Sequence, residues 1–429
     1  MIAEHSEFQG IEATRVPGGL FVISERLPYL RSAALGFAYR IGSRDDPKGK
    51  EGTAHLVEHM VFKGTERLNA KSINIFVESH GAEMNGFTDK EITCFYCRFP
   101  REEIEPMVGL MQEILKAPAF AQEELDKEKG VVSEEIRTNE EDPETCAVNL
   151  LMKAIYGEES LGRPVLGTVN SIARLNRDDL QRFYQAFYGA KSGVVAAAGD
   201  IEHQRLVAML DKFDPPGAQA LIRGKLPLMP FRALTQVRKD ISQVYVCLAW
   251  PTFPYKDPRR YALSVLNTAL GGGVSSRLFQ RLREEEGLVY SIGSFVEGYE
   301  DTGVLGIYFV AEAQKFLRCI TVLREEIALL RQERVKMEEF ERARSMTKSA
   351  VVLAMESSTS RMLRLARSYL LLDRVTGIDE TVQAYNSLKV GDVIELIDLL
   401  LSEDRFYAGV VGPLTEEEVT QVIGVERSS

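Results

Sequence analysis

His55-Leu56-Val57-Glu58-His59 is the stretch on which the reading of this chain turns. In a helix its two imidazoles stand one turn apart on one face, so both rings can reach a single metal ion. Glu58 falls beside that face, near enough to touch a water on the metal without being a ligand. It is the candidate general base. The order H-x-x-E-H, with the glutamate ahead of the second histidine, is the inverted zincin arrangement. Two histidines that merely cap or pack a helix can produce the same five letters, so the motif needs a third ligand.

A Glu-rich segment offers one. Glu123-Glu124-Leu125-Asp126-Lys127-Glu128-Lys129-Gly130-Val131-Val132-Ser133-Glu134-Glu135-Ile136 reads as a helix in which Glu128 and Glu135, about two turns apart, share a face. Glu135 becomes a candidate ligand, and Glu128 an outer acid that holds a histidine ring or a water. Without a metal, such a charge run is a solvated helix face.

With its surroundings, the motif resembles the pitrilysin-type (M16) metallopeptidases, and among them the M16B subgroup that includes the mitochondrial processing peptidase. Gly52-Thr53-Ala54 leads into it and Met60-Val61-Phe62-Lys63-Gly64-Thr65 follows. The interval from His59 to Glu135 is 76 residues, the spacing at which that family places its glutamate ligand, and its acidic helper falls on Glu128. Gly81-Ala82-Glu83-Met84-Asn85-Gly86-Phe87-Thr88 is similar to the family's active-site edge strand, with Gly86 in place of the more usual Ala. Gly199-Asp200-Ile201 resembles the end of its first domain. Leu282-Arg283-Glu284-Glu285-Glu286-Gly287-Leu288-Val289-Tyr290 carries the Arg and Tyr, seven apart, that bind and polarise the substrate backbone in the family. A cation and a phenol there suit an oxyanion.

The resemblance implies a zinc-dependent endopeptidase acting on peptides or unfolded segments in an enclosed chamber. One Zn2+ per chain is expected on His55, His59 and Glu135, with Glu128 outside them and Glu58 as general base. Arg283, Tyr290, Asn85 and Phe62 are the expected substrate contacts, and the peptide is expected to add as a strand near Asn85 to Thr88. Relatives enclose substrate between two two-domain halves, so a homodimer follows, with Arg283 and Tyr290 of one subunit facing the zinc of the other. A heterodimer with an inactive paralogue is open. The rival reading is a non-catalytic subunit of a larger assembly, as some relatives are; those tend to lose ligands that this chain keeps.

The expected fold is α+β: two homologous sandwich-like domains, each a mixed, mostly antiparallel sheet flanked by helices, forming half of a clamshell closed by dimerisation. The first domain is placed at 1–213, a Pro/Gly-rich linker at 214–231 and the second domain at 232–429. Strands are read at Ala33 to Tyr39, Ile92 to Phe99, Val194 to Gly199 and Val244 to Trp250, and helices at Ala54 to Phe62, Ala262 to Leu270 and Ser276 to Glu285. Ser72 to Gly81 corresponds to Ser276 to Gly287. The helix matching the motif has no His or Glu at equivalent places, so only the first half can hold metal. Gly271-Gly272-Gly273 lacks P-loop spacing and is a turn.

The remaining signals exclude rather than identify. A net charge of −11, with no basic stretch interleaved with aromatics, argues against nucleic acid. No run of about 18 apolar residues exists, so no membrane span is expected. The opening Met1 to Phe8 is polar and acidic, unlike a secretory or transit peptide. Five cysteines are too few for a disulfide framework in 429 residues, and the cytoplasm is the expected compartment. Cys94 and Cys97 spell C-x-x-C inside a strand, where residues three apart face opposite ways, so no redox pair is expected. Arg361, Arg364 and Arg367 read as the wet side of an amphipathic helix.

Overall fold

The computed structural model describes residues 10–217, 219 and 221–424, so the opening residues read for a targeting signal lie outside it. One sheet contains β1 (Ile11–Arg15), β2 (Phe21–Arg26), β3 (Ser32–Tyr39), β4 (Glu83–Thr88), β5 (Thr93–Pro100) and β6 (Gly193–Gly199), ordered β1-β2-β6-β3-β5-β4. The other contains β7 (Ala233–Val237), β8 (Gln243–Thr252), β9 (Val289–Gly298), β10 (Gly303–Glu312) and β11 (Tyr407–Gly412), ordered β7-β11-β8-β10-β9. In the first, only β2 and β6 run parallel; in the second, only β7 and β11 do. Five strands thus recur in the same order and sense, with β1 added at the edge of the first sheet. Both sheets are mixed and mostly antiparallel.

The helices that build on them include, in chain order, α1 (Thr53–Val61), α2 (Ala70–Ser79), α3 (Ile104–Lys116), α4 (Gln122–Glu141), α5 (Pro143–Tyr156), α6 (Val169–Arg174), α7 (Arg177–Phe187), α8 (His203–Leu210), α9 (Arg260–Gly271), α10 (Phe316–Glu333), α11 (Met337–Ala354) and α12 (Ser358–Leu372), with three more after it. The helix expected at Ser276 to Glu285 is a π-helical turn over Phe279–Glu285. Gly81 and Gly287 close the two corresponding helices at φ +58° and +60°, a left-handed geometry that glycine adopts without steric cost. The loose correspondence of these segments is therefore a correspondence of backbone.

Two compact units result, each assembled from three stretches. One runs up to Ile136 and adds Pro164–Arg223 and Leu353–Ile378; the other takes Arg137–Arg163, Gly224–Val352 and the chain from Asp379. In the first unit both sheet faces are buried, which explains the apolar continuity of β3. Leu35, Phe37 and Tyr39 face one core with α1, α3 and α7, while Ala34 and Ala38 face another, filled by Met362, Leu365, Ala366 and Leu370 of α12. The small side chains on that second face let α12 approach closely: a Cβ at Gly36 would fall 2.4 Å from the Met362 sulfur. Cys97 lies in the first of these cores and Cys94 in the second, both buried and free, as alternation along a strand requires. Burial pushes both thiols up. In the other unit α5 plays the part of α12, packing Ala147, Leu151 and Ile155 against Val304, Tyr407 and Val411.

The reading of three wet arginines on α12 needs correction. Arg361 is ion-paired with Glu25, and Arg364 donates to the carbonyls of Thr376 and Gly377, at 2.8 and 3.1 Å. Only Arg367 is exposed. The helix is buried along more of its circumference than a surface helix because it lies across a sheet, and its arginines satisfy backbone and carboxylate groups at the rim.

The Pro/Gly-rich stretch after Phe213 is fixed by specific contacts. Gly217 N–H donates to the Tyr188 carbonyl and Gln219 N–H to that of Ala186. Arg223 grips Asp45 through Nε at 2.9 Å and Nη2 at 2.6 Å, and its Nη1 lies 3.7 Å from Glu91, itself paired with Arg44 at 2.5 Å. All four side chains are buried. Removing one member of a buried ion-paired group leaves uncompensated charge, which costs about 3–5 kcal/mol. Arg223→Ala should lower the unfolding free energy by about that much in a urea titration, whereas a loss below about 1 kcal/mol would mean that water reaches the cluster.

Candidate active site

Helix α1 is aimed by its first residues. Gly52 caps it at φ +89°, where a Cβ would fall 2.4 Å from the Leu166 carbonyl oxygen, so the backbone requires glycine. The buried Asp46 carboxylate accepts the N–H groups of Gly52 at 2.7 Å and Ala54 at 2.8 Å, satisfying donors that a helix start leaves open. Nearly every side chain of this nine-residue helix is buried, including His55 and Glu58. Helix α4 supplies the opposing wall. Leu125, Glu128, Val132 and Ile136 form its buried face, and Glu135 lies half-exposed beside them.

The structure brings the four motif-derived residues and the outer acid together. His55 Nε2 and His59 Nε2 each lie 3.8 Å from the same oxygen of Glu135, and the two rings are 4.6 Å apart centre to centre. These three donor atoms all fall within 4.8 Å of one another. Metal bonds of about 2.0–2.2 Å in a tetrahedron set neighbouring donors roughly 3.3–3.5 Å apart. The two Glu135 contacts need a few tenths of an ångström of closure to reach that spacing, and no pair of donors needs more than about 1.5 Å. The protonation chemistry agrees: burial, followed by the neighbouring His59, lowers the His55 pKa to about 3, which keeps its ring neutral and able to donate a lone pair. His59 Nδ1 lies 3.0 Å from Glu128 Oε2, an arrangement that directs Nε2 toward the cluster. The residues present therefore fit a divalent metal, one per chain.

Glu58 is held apart from the ligands. Its Oε2 accepts a 2.8 Å hydrogen bond from Thr88 Oγ1, and burial raises its pKa, an effect the Thr88 bond partly opposes. A Cβ at Gly86 would fall 3.0 Å from both Glu58 Oε1 and a Phe62 ring carbon, so glycine there leaves that oxygen its space. Phe62 also packs edge-on against Phe95. Asn85 is exposed on β4, with its Oδ1 accepting the Gly86 N–H at 2.8 Å. Two residues of this site escaped the sequence reading. Thr88 is at the end of the quoted edge strand, and its place on the same face as Gly86 was the signal available. Lys63 pairs with the second oxygen of Glu128 at 2.7 Å, which a motif ending at His59 does not reach.

Arg283 and Tyr290 belong to the other unit. Arg283 is exposed at the π-helical turn with its guanidinium 4.9 Å from the Phe279 ring centre, and no carboxylate among the described residues pairs with it. Tyr290 is 75% exposed at the start of the edge strand β9. A packed tyrosine beside a surface arginine does not describe this pair. The matching helix α9 has Ser264, Asn267 and Thr268 but no His or Glu.

Comparison with known proteins places these features. Residues 21–169 match the family described as insulinase (peptidase family M16), and residues 174–347 match the peptidase M16 inactive domain. An uncharacterized zinc protease of Streptomyces coelicolor is 33% identical over 96% of this chain and 92% of its own length. The chain belongs to the M16 peptidase family. Other M16 relatives include uncharacterized zinc proteases of Mycobacterium leprae, 34% identical over 95% of this chain and 93% of theirs, and of Bacillus subtilis, 33% identical over 90% and 94%. Among solved structures, a peptidase M16 inactive domain from Pseudomonas fluorescens superposes with a TM-score of 0.87 at 20% identity, covering 94% of this chain and 98% of its own. A protease from Helicobacter pylori gives 0.86 at 21%, covering 95% and 100%. They show the fold. With family and cluster together, this M16 protein is a zinc metalloendopeptidase acting on peptide substrates. No described helix is long and apolar enough to cross a membrane.

Proposed function

We propose that His55 Nε2, His59 Nε2 and Glu135 hold the zinc, that Glu128 braces His59, and that Glu58 is the general base. The observation that carries this is the convergence of both Nε2 atoms on one Glu135 oxygen beside a carboxylate fixed by another contact. Zinc bound there supplies Lewis-acid polarisation of the attacking water and the scissile carbonyl. Glu58 Oε1 takes a proton from that water as its oxygen bonds the carbonyl carbon. The same proton then goes to the amide nitrogen as the C–N bond breaks. The peptide adds as a strand along β4 near Asn85 to Thr88, an edge with one neighbour in the sheet, with Phe62 beside it.

Arg283 and Tyr290 complete the site from a second copy of the chain, so the unit is half of a clamshell closed by homodimerisation, in the manner of the processing-peptidase subgroup. The exposure of both side chains supports this reading, because Arg283 rests only on the Phe279 ring, with no carboxylate beside it among the described residues, and Tyr290 stands 75% exposed. A cytoplasmic location accords with five buried, unpaired cysteines. Mixing Glu58→Gln with Arg283→Ala subunits tests the arrangement. Each homodimer should be nearly inactive, while a mixed dimer should regain about half of the wild-type sites. No recovery would show that base and arginine act from the same chain.

A further inference from the structure

We infer that Thr88 is a positioning residue for the general base: its hydroxyl locks the Glu58 carboxylate so that Oε1 alone is presented to the reacting water. The inference rests on the reading of Glu58 as the base. Glu58 is buried, so its carboxylate cannot choose its orientation by hydration, and each oxygen needs a defined environment. Thr88 Oγ1 lies 2.8 Å from Oε2, while the other oxygen faces the space left by the missing side chain of Gly86. The two residues are alternate positions of β4, so one face of the strand provides both the tether and the gap.

The distances to its two neighbouring acceptors decide which way the Thr88 proton points. Thr93 Oγ1 donates to the Ile41 carbonyl at 2.8 Å and accepts from the Tyr188 hydroxyl at 3.4 Å. Its own proton is committed, so it cannot donate across the 3.5 Å contact to Thr88. Thr93 is then only an acceptor at 3.5 Å, so the Thr88 hydroxyl gives its single proton to the nearer Glu58 oxygen at 2.8 Å. A threonine is also stiffer at χ1 than a serine, because its γ-methyl restricts the rotamer. The hydroxyl is therefore delivered from a strand backbone through one constrained torsion.

The test compares wild type, Thr88→Val and Thr88→Ser on one fluorogenic peptide, with zinc content and melting temperature measured on each. Valine keeps the shape and removes the hydroxyl. Thr88→Val should lower kcat about 10–100-fold with KM and zinc content unchanged, and Thr88→Ser should recover most of the loss. In a background of Glu58→Gln, Thr88→Val should cost little more, since the group it positions no longer takes protons. A second readout needs no turnover: in metal-free crystals of Thr88→Val the Glu58 carboxylate should leave the orientation it holds beside residue 88. An unchanged kcat in Thr88→Val, a serine variant as slow as the valine one, or zinc loss in either would overturn the positioning role. If wild type cuts and Glu58→Gln does not, the assignment of the base stands whichever way Thr88 behaves.

Discussion

Glu58→Gln should bind about one zinc per chain, melt within a few degrees of wild type, and hydrolyse peptide about 10³-fold more slowly. The amide replaces the carboxylate at nearly equal volume. Its oxygen can still accept from Thr88, so the hydrogen bond that orients the side chain survives. What is lost is a site for the proton of the attacking water. General acid–base groups contribute about 10²–10⁴-fold, and Glu58 serves at both proton transfers, so the middle of that range or above is expected. Three decades correspond to about 4 kcal/mol of transition-state stabilisation. The measurement is kcat with a quenched fluorescent peptide alongside metal analysis. Activity within tenfold of wild type would move the base elsewhere, and loss of zinc would make Glu58 a ligand.

Glu135→Ala and Glu128→Ala should separate a ligand from its brace. Both carboxylates project from α4 toward α1, two turns apart, but they meet different atoms. Glu135 lies 3.8 Å from both Nε2 atoms, whereas Glu128 lies 3.0 Å from His59 Nδ1 and 2.7 Å from Lys63. Losing an outer partner of a ligating histidine costs roughly 10–100-fold in metal affinity. Glu128→Ala should fall in that window and regain activity when zinc is added. Glu135→Ala should lose more than that and remain inactive, because two histidines leave the metal without its third protein ligand. Competition with a chromophoric chelator reads both affinities. Equal losses in the two variants would contradict the division of roles.

The site was legible in sequence because its geometry is local twice over. His55, Glu58 and His59 are placed by one helix, and Glu128 and Glu135 by another, so spacing alone puts them on two faces. Distance along the chain hid only the fact that the faces meet, and the family resemblance supplied it. Thr88 was less visible because a strand hydroxyl carries no spacing rule linking it to a helix thirty residues earlier. The sheets were legible for a similar reason. Runs such as Ala33 to Tyr39 and Val244 to Trp250 are apolar throughout, which is how strands buried on both faces read.

Where each helix would pack was not legible. The arginines of α12 have helical spacing, but nothing local says that the helix crosses a sheet whose last strand, ending at Gly199, closed about 160 residues earlier. Arg361 and Arg364 are therefore rim anchors rather than solvated side chains. The same holds for Arg223, whose Pro- and Gly-rich neighbours describe a connection and not the buried acids it meets.

The placement of α12 also sets the order of events while the chain is being made. The face of Ala34, Ala38, Cys94, Ala196 and Ala198 has no cover of its own until Met362 to Leu370 have left the ribosome. At about 5–20 residues per second, that interval after β6 emerges is roughly 10–30 s. Throughout it a nascent chain carries its metal ligands on α1 and α4 beside a sheet with one face uncovered. Emergence of α12, rather than emergence of the ligands, is then the point at which the sheet beside the metal cluster is first covered on both faces.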